Sequence, residues 1–96
     1  MAGHWSTPQG TAAAAREVER LREYLSGVAG QAVAADDDVF ELGLINSLRA
    51  LEIVMHVEQT YGIEVTVEDL DLSNFRTATR LAEFVRTKRT LSAREP

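Results

Sequence analysis

Ser47 is the residue of this chain best placed for covalent chemistry. It follows Asn46 where a glycine-containing stretch, Phe40-Glu41-Leu42-Gly43-Leu44-Ile45, gives way to the periodic run Leu48-Arg49-Ala50-Leu51-Glu52-Ile53-Val54-Met55-His56-Val57-Glu58. That pattern is a loop ending at the first turn of an amphipathic helix. Two roles fit a small polar pair at the junction. Asn46 or Ser47 can cap the helix, accepting a hydrogen bond from an orphan backbone N–H of the first turn. A hydroxyl there also lies where backbone donors and the positive end of the helix macrodipole favour an attached phosphate.

Chemistry performed by Ser47 itself fits poorly. The chain has two histidines, His4 and His56, and no cysteine. His56 falls about 180° around the helix from Ser47, so the two cannot form a nucleophile–base pair within it. No His or Lys stands close in sequence to activate the hydroxyl, as expected of a residue modified by another enzyme. No catalytic residue is expected. Glu52 and Glu58 read more simply as a solvated helix face than as an acid–base pair. Asp36-Asp37-Asp38 lacks the alternating spacing and closing Glu of a calcium loop, and without thiolates or a histidine cluster no metal site is expected.

The elements that must position Ser47 follow from periodicity. Residues 1–11, around the isolated His4 and Trp5, mix Gly, Ser, Thr, Pro and Gln and read as a disordered leader. A first helix starts in the Ala12–Ala15 run and reaches about Ser26, with Val18, Leu21, Leu25 and Val28 on one face and Gly27 and Gly30 as the stop. The long connection that follows needs anchors, for which Phe40, Leu42 and Leu44 or Ile45 are the candidates, and Gly43 marks a backbone turn. Helix II spans about Ser47 to Tyr61, with Ala50, Ile53, Val54, Val57 and Tyr61 facing a core. Leu48, Leu51 and Met55 fall off that stripe. Either both flanks of helix II are buried, or an apolar strip rimmed by Glu52 and Glu58 stays exposed for docking.

Tyr61-Gly62-Ile63 closes helix II, and Glu64–Val67 is too isolated to pair as a strand. Thr66 with Asp69 starts a short helix III through about Leu72, Phe75 plugs the core, and Thr77 caps helix IV. Ala78, Leu81, Ala82 and Val85 form its buried stripe, while Arg86, Lys88 and Arg89 suit a helix C-terminal end. Residues 90–96 should fray. The fold class is all-α, one small domain over residues 12–89.

Composition bounds the partners. Ninety-six residues, 45% hydrophobic and 26% charged, make one small domain with a thin core. No apolar run is long enough to span a bilayer and the start has no signal-peptide pattern, so a cytoplasmic monomer without a membrane partner is expected. From Asp36 to Asp71 ten acidic residues face Arg49 alone; from Arg76 to Arg94 six basic residues face Glu83 alone. The acidic half surrounds Ser47. Nucleic acid is disfavoured as a partner and a basic protein surface favoured.

The run Asp38-Val39-Phe40-Glu41-Leu42-Gly43-Leu44-Ile45-Asn46-Ser47-Leu48, continued through Glu52-Ile53-Val54-Met55 to Tyr61-Gly62-Ile63, resembles the acyl carrier and peptidyl carrier protein family over about Val18 to Val85. The Gly-x-x-x-Ser-Leu block is its most specific part. The resemblance implies a four-helix bundle of acyl-carrier type with a long helix I–II loop and a short helix III. It implies that Ser47 carries 4'-phosphopantetheine from coenzyme A, whose thiol holds an acyl or aminoacyl thioester, and that a pocket between helices can shelter the tethered chain. The implied partners are a phosphopantetheinyl transferase, an acyl- or aminoacyl-loading ligase or adenylating enzyme, and downstream synthase or condensation enzymes. Asn46, Leu48, Leu51, Glu52, Met55 and Glu58 become the docking residues, because helix II is the family's recognition surface. Asn46 stands where most members have Asp, and Arg49 where an acidic residue is common. Together with Asp69-Leu70-Asp71-Leu72-Ser73-Asn74-Phe75-Arg76, the block looks most like discrete carriers of antibiotic pathways, polyketide or nonribosomal peptide. The rival is a cofactor-free helical interaction module in which Ser47 is only a cap.

Overall fold

The computed structural model describes residues 8–94, with side chains described for 12–90. Three α-helices, α1 (Pro8–Ala29), α2 (Ser47–Tyr61) and α3 (Ala78–Arg94), are joined by the 30–46 loop and by a segment holding two 3-10 turns, Val67–Asp69 and Leu72–Phe75. The chain is all-α among the described residues, but the short third helix is replaced by those two turns. The reason is burial. Val67, Leu70 and Leu72 remain 82, 50 and 40% exposed, and only Phe75 enters the core. With one buried anchor, little packing energy compels a continuous α-helix.

Helix α1 packs chiefly along α3. Leu21 and Leu25 are fully buried, with Val18 and Val28 packed beside them, as the heptad-like spacing requires. The helix already includes residues placed in the leader by composition, since the Ala12–Ala15 run has the propensity to carry it past its first buried residue. His4 and Trp5 lie outside the described residues. Gly27 stays helical, and Gly30 alone ends α1: its φ of 77° is left-handed, and its N–H donates to the Ser26 carbonyl at 2.9 Å. At the other end of the chain the helical backbone continues to Arg94, so Arg86, Lys88 and Arg89 lie inside α3 and not at its end. They act laterally instead. Lys88 Nζ donates to Asp69 Oδ2 at 2.7 Å, and Arg89 Nη1 donates to Glu17 Oε1 at 3.4 Å.

The core gathers α2's inner residues Ile53 and Val57, Phe75 from the second 3-10 turn, and Leu81 and Val85 from α3. Phe75 and Phe84 rings meet at 5.5 Å, tilted by 57°, a favourable edge-biased geometry. Thr77 Oγ1 accepts from the Arg80 N–H at 3.0 Å and so caps α3. Tyr61, at the end of α2, packs near Glu17 and under the Arg89 guanidinium, 5.9 Å from its ring centre. Burial and the Glu17 carboxylate push its hydroxyl pKa up to about 12.

Asp69 fastens the 3-10 segment to α3. Its carboxylate accepts from Lys88 and from the Thr66 N–H and hydroxyl at 3.0 and 2.9 Å, and these donors, Lys88 foremost, hold its pKa below the usual carboxylate range. Because the folded pKa is depressed, this stabilisation is present above the unfolded pKa and is lost as pH falls through the folded one. Asp69→Asn should therefore cost about 1–3 kcal/mol at pH 7. The gap from wild type, followed by urea unfolding, should close as pH drops below the normal aspartate pKa of about 3.9.

Candidate functional site

The loop from 30 to 46 sets where α2 begins, and Val39 is its fixed point. Val39 is fully buried, its N–H donates to the Arg76 carbonyl at 2.9 Å, and its carbonyl accepts from the N–H groups of Leu44 at 2.9 Å and Ile45 at 3.2 Å. Asp38 stiffens the same turn. One oxygen accepts from the Phe40 and Glu41 N–H groups at 3.0 and 2.9 Å, the other from Arg76 Nη1 at 2.9 Å. The Glu41 N–H first, then the Arg76 guanidinium, hold its pKa below the usual range. Gly43 supplies the turn with a φ of 75°, a value that side chains rarely adopt. Ile45, 3% exposed, is the last anchor before the helix. The loop anchors are therefore Val33, Val39 and Ile45, with Phe40 and Leu44 partly buried. Leu42, expected among them, is 57% exposed, because the turn through Gly43 carries it over the outside.

Asn46 is the N-cap of α2. Its backbone is extended, φ −107° and ψ −178°, and its Oδ1 accepts from the Arg49 N–H at 2.9 Å. Ser47 is the first helical residue, exposed, and its hydroxyl makes no hydrogen bond to another described residue. Helix geometry leaves the N–H groups of Ser47 and Leu48 without intrahelical acceptors. The two roles that the sequence left open are thus divided: Asn46 caps, and Ser47 is free. The reading of Ser47 as only a cap, on which a cofactor-free module depended, loses its footing.

The remaining predicted site residues fall into three groups. Leu48, Leu51 and Met55 are 72, 53 and 58% exposed, so the second flank of α2 is not buried. Glu52 pairs with Arg49 Nη1 at 3.2 Å, both side chains being more than half exposed, so the pair adds little stability. Glu58 is committed to structure: its Oε2 accepts from the Val65 N–H at 2.9 Å and holds the chain leaving α2. His56 stacks on Tyr24, ring centres 3.6 Å apart and 7° from parallel, and burial lowers its pKa, so it serves as a packing residue. Tyr24's hydroxyl reaches the Glu52 carbonyl at 3.4 Å.

Sequence reasoning missed that Leu42, Val67, Leu70 and Leu72 join the exposed apolar residues; every exposed large hydrophobic among the described residues lies between 42 and 72. Their interleaving with Glu41, Glu68, Asp69 and Asp71 was the available signal. The resemblance implies a pocket between helices. Two openings lie away from α2: one, a groove of about 630 Å³, is lined by α1 and α3 residues such as Ala14, Val18, Ala82 and Arg86. Another of about 370 Å³ lies between α3 and the 3-10 segment. Neither includes a residue of α2. No group of metal-ligating side chains occurs among the described residues, and no helix there is long and apolar enough to cross a membrane.

Among the described residues, three helices present an unused hydroxyl on the first turn of the second, as the resemblance to carrier proteins implies. The phosphopantetheine attachment site family matches residues 19–85, and the chain belongs to it. It is a domain of the acyl carrier and peptidyl carrier type, whose cofactor is covalently attached 4'-phosphopantetheine. The chain is similar to the D-alanyl carrier proteins of Streptococcus pyogenes serotype M5 (strain Manfredo) and serotype M49 (strain NZ131), 28% identical to each over 50 residues. Those matches cover 52% of this chain and 63% of each relative. An exposed, unengaged hydroxyl beside free helix donors fits such a cofactor.

Asn46→Ala should lower stability by about 1 kcal/mol by removing the cap. Ser47→Ala should leave it within about 0.5 kcal/mol of wild type in denaturant unfolding.

Proposed function

We propose that Ser47 is the attachment residue and that this chain is a discrete carrier, presenting an acyl or aminoacyl group to the enzymes of a polyketide or nonribosomal peptide pathway. The observation that carries the assignment is the exposed Ser47 hydroxyl, released from capping by Asn46. A phosphopantetheinyl transferase joins Ser47 Oγ to the β-phosphorus of coenzyme A, the pyrophosphate bond breaks, 3',5'-ADP departs, and the hydroxyl proton passes to the transferase or water. Once attached, the cofactor supplies a thiol at the end of a flexible arm, able to hold cargo as a thioester. The residues of the chain orient this exchange. Asn46 fixes the helix start, and the first-turn N–H groups and helix dipole favour the anionic phosphodiester.

Leu48, Leu51 and Met55 form the apolar part of the docking surface, with Asn46, Glu52 and Glu58 at its polar margin. Arg49 alters the charge pattern, since a basic partner must displace it from Glu52. Partners would be the transferase, an acyl- or aminoacyl-loading ligase or adenylating enzyme, and downstream synthase or condensation enzymes, met in the cytoplasm by a monomer. The similarity to D-alanyl carriers supports an aminoacyl cargo as one member of this class. Polar polyketide extender units and fatty acyl groups are the others.

Incubation of the apo protein with a broad-specificity phosphopantetheinyl transferase and coenzyme A should add one phosphopantetheinyl group by intact mass, and Ser47→Ala should add none. No gain with a transferase shown to be active on a control carrier would refute the assignment. For docking, Leu48→Asp and Met55→Asp should each raise the transferase KM about tenfold. Stability should meanwhile stay within about 0.5 kcal/mol, as expected for exposed positions.

A further inference from the structure

The space beneath α2 is already filled. Ile53 and Val57 are fully buried there, packed in one cluster with Phe75 at 1% exposure and with Leu81 and Val85 at 0%. A cavity of roughly 150 Å³ admits only a benzene-sized group, and the two openings described above are lined by other elements. The 3-10 segment is also fastened on both sides. Glu58 Oε2 holds the Val65 N–H at 2.9 Å. On the α3 side Asp69 takes the Lys88 ammonium at 2.7 Å, with the two side chains only 22 and 19% exposed. Within the segment itself, Asn74 Nδ2 donates to the Asp69 carbonyl at 3.1 Å and joins its two turns. Parting α2 from this segment would break the Glu58–Val65 bond, moving the segment across α3 would break the partly desolvated Asp69–Lys88 pair, and either would disturb Phe75 in the core.

We infer that this carrier keeps its cargo in water and is suited to short or polar acyl and aminoacyl groups, and that it does not draw a long apolar chain into the bundle. This rests on Ser47 as the attachment residue. A polar or charged cargo loses nothing by staying hydrated, and entering the bundle would desolvate it. A long alkyl chain left outside would gain none of the burial that makes sheltering favourable. The filled inner face of α2 and the two fastenings thus select cargo by what they refuse to enclose.

The test loads the full chain from octanoyl-coenzyme A and, separately, malonyl-coenzyme A with a broad-specificity transferase, verifying each product by intact mass. The Ile53, Val57 and Phe75 resonances of the two products should coincide. Each thioester should be cleaved by hydroxylamine at a rate within about twofold of its own acyl-coenzyme A, as for groups equally open to solvent. Octanoyl-specific shifts at Ile53, Val57 and Phe75, with cleavage slowed about tenfold or more as water exclusion demands, would overturn the inference and leave the Ser47 assignment standing. Failure of both groups to reach Ser47 would remove the assignment and the inference together.

Discussion

The structure depends on one buried peptide unit. A connection as long as residues 30–46, with no helix or strand of its own, would ordinarily leave the element after it loosely placed. Here the backbone of Val39 is bonded in both directions, to Arg76 before α3 and to Leu44 and Ile45 before α2, while its side chain is sealed in the core. The start of α2 is thereby referenced to the start of α3, and the position of Asn46 and Ser47 follows from the packing of the bundle. Asp38 repeats the tie in side-chain form through Arg76. Backbone donors left unpaired in so thin a core would be costly, and this turn leaves them paired.

Division of labour along α2 is the second theme. One face supplies Ala50, Ile53 and Val57 to the interior; the other leaves Leu48, Leu51 and Met55 outside. Exposed apolar residues gathered into one stretch of a small protein are expected where a partner completes the burial. The acidic residues that share this stretch are not equivalent. Asp38, Glu58 and Asp69 are spent on loop and turn geometry, whereas Glu52 is held only by a solvent-exposed pair. Charge counting along the chain therefore overstates how many acids are available to another protein.

Much of this was legible in the residues. The bounds of α2, the Thr77 cap, the Phe75 plug and the buried stripes of all three helices follow from spacing and end signals, which are strong where apolar periodicity is long. The losses have physical causes. Helix III was inferred from a capping pattern that is real at Thr66 and Asp69, but a cap starts a helix without sustaining it, and Asp71 begins a second turn by accepting from the Ser73 N–H at 3.0 Å. Val39 was passed over because Val within a loop carries no periodic signal, and its role lies in backbone bonds that side-chain type does not reveal. Leu42 was misplaced because a single left-handed glycine beside it reverses which way the chain faces. At the site, Ser47 stands out at once, yet that Asn46 and not Ser47 caps the helix is shown only by the backbone angles and the Arg49 N–H bond.

Asn46 also has an electrical consequence. An aspartate at the same place could close the helix as well, but it would bring a full negative charge to the positive pole of α2. The amide closes it while remaining uncharged, so the pole, worth about half an elementary charge, is left unquenched by its own cap. Arg49, one turn along, adds to it. An anion joined to the neighbouring side chain would therefore meet no repulsion from the cap, and the resting angle of anything hung from that anion would be biased by the field of the helix.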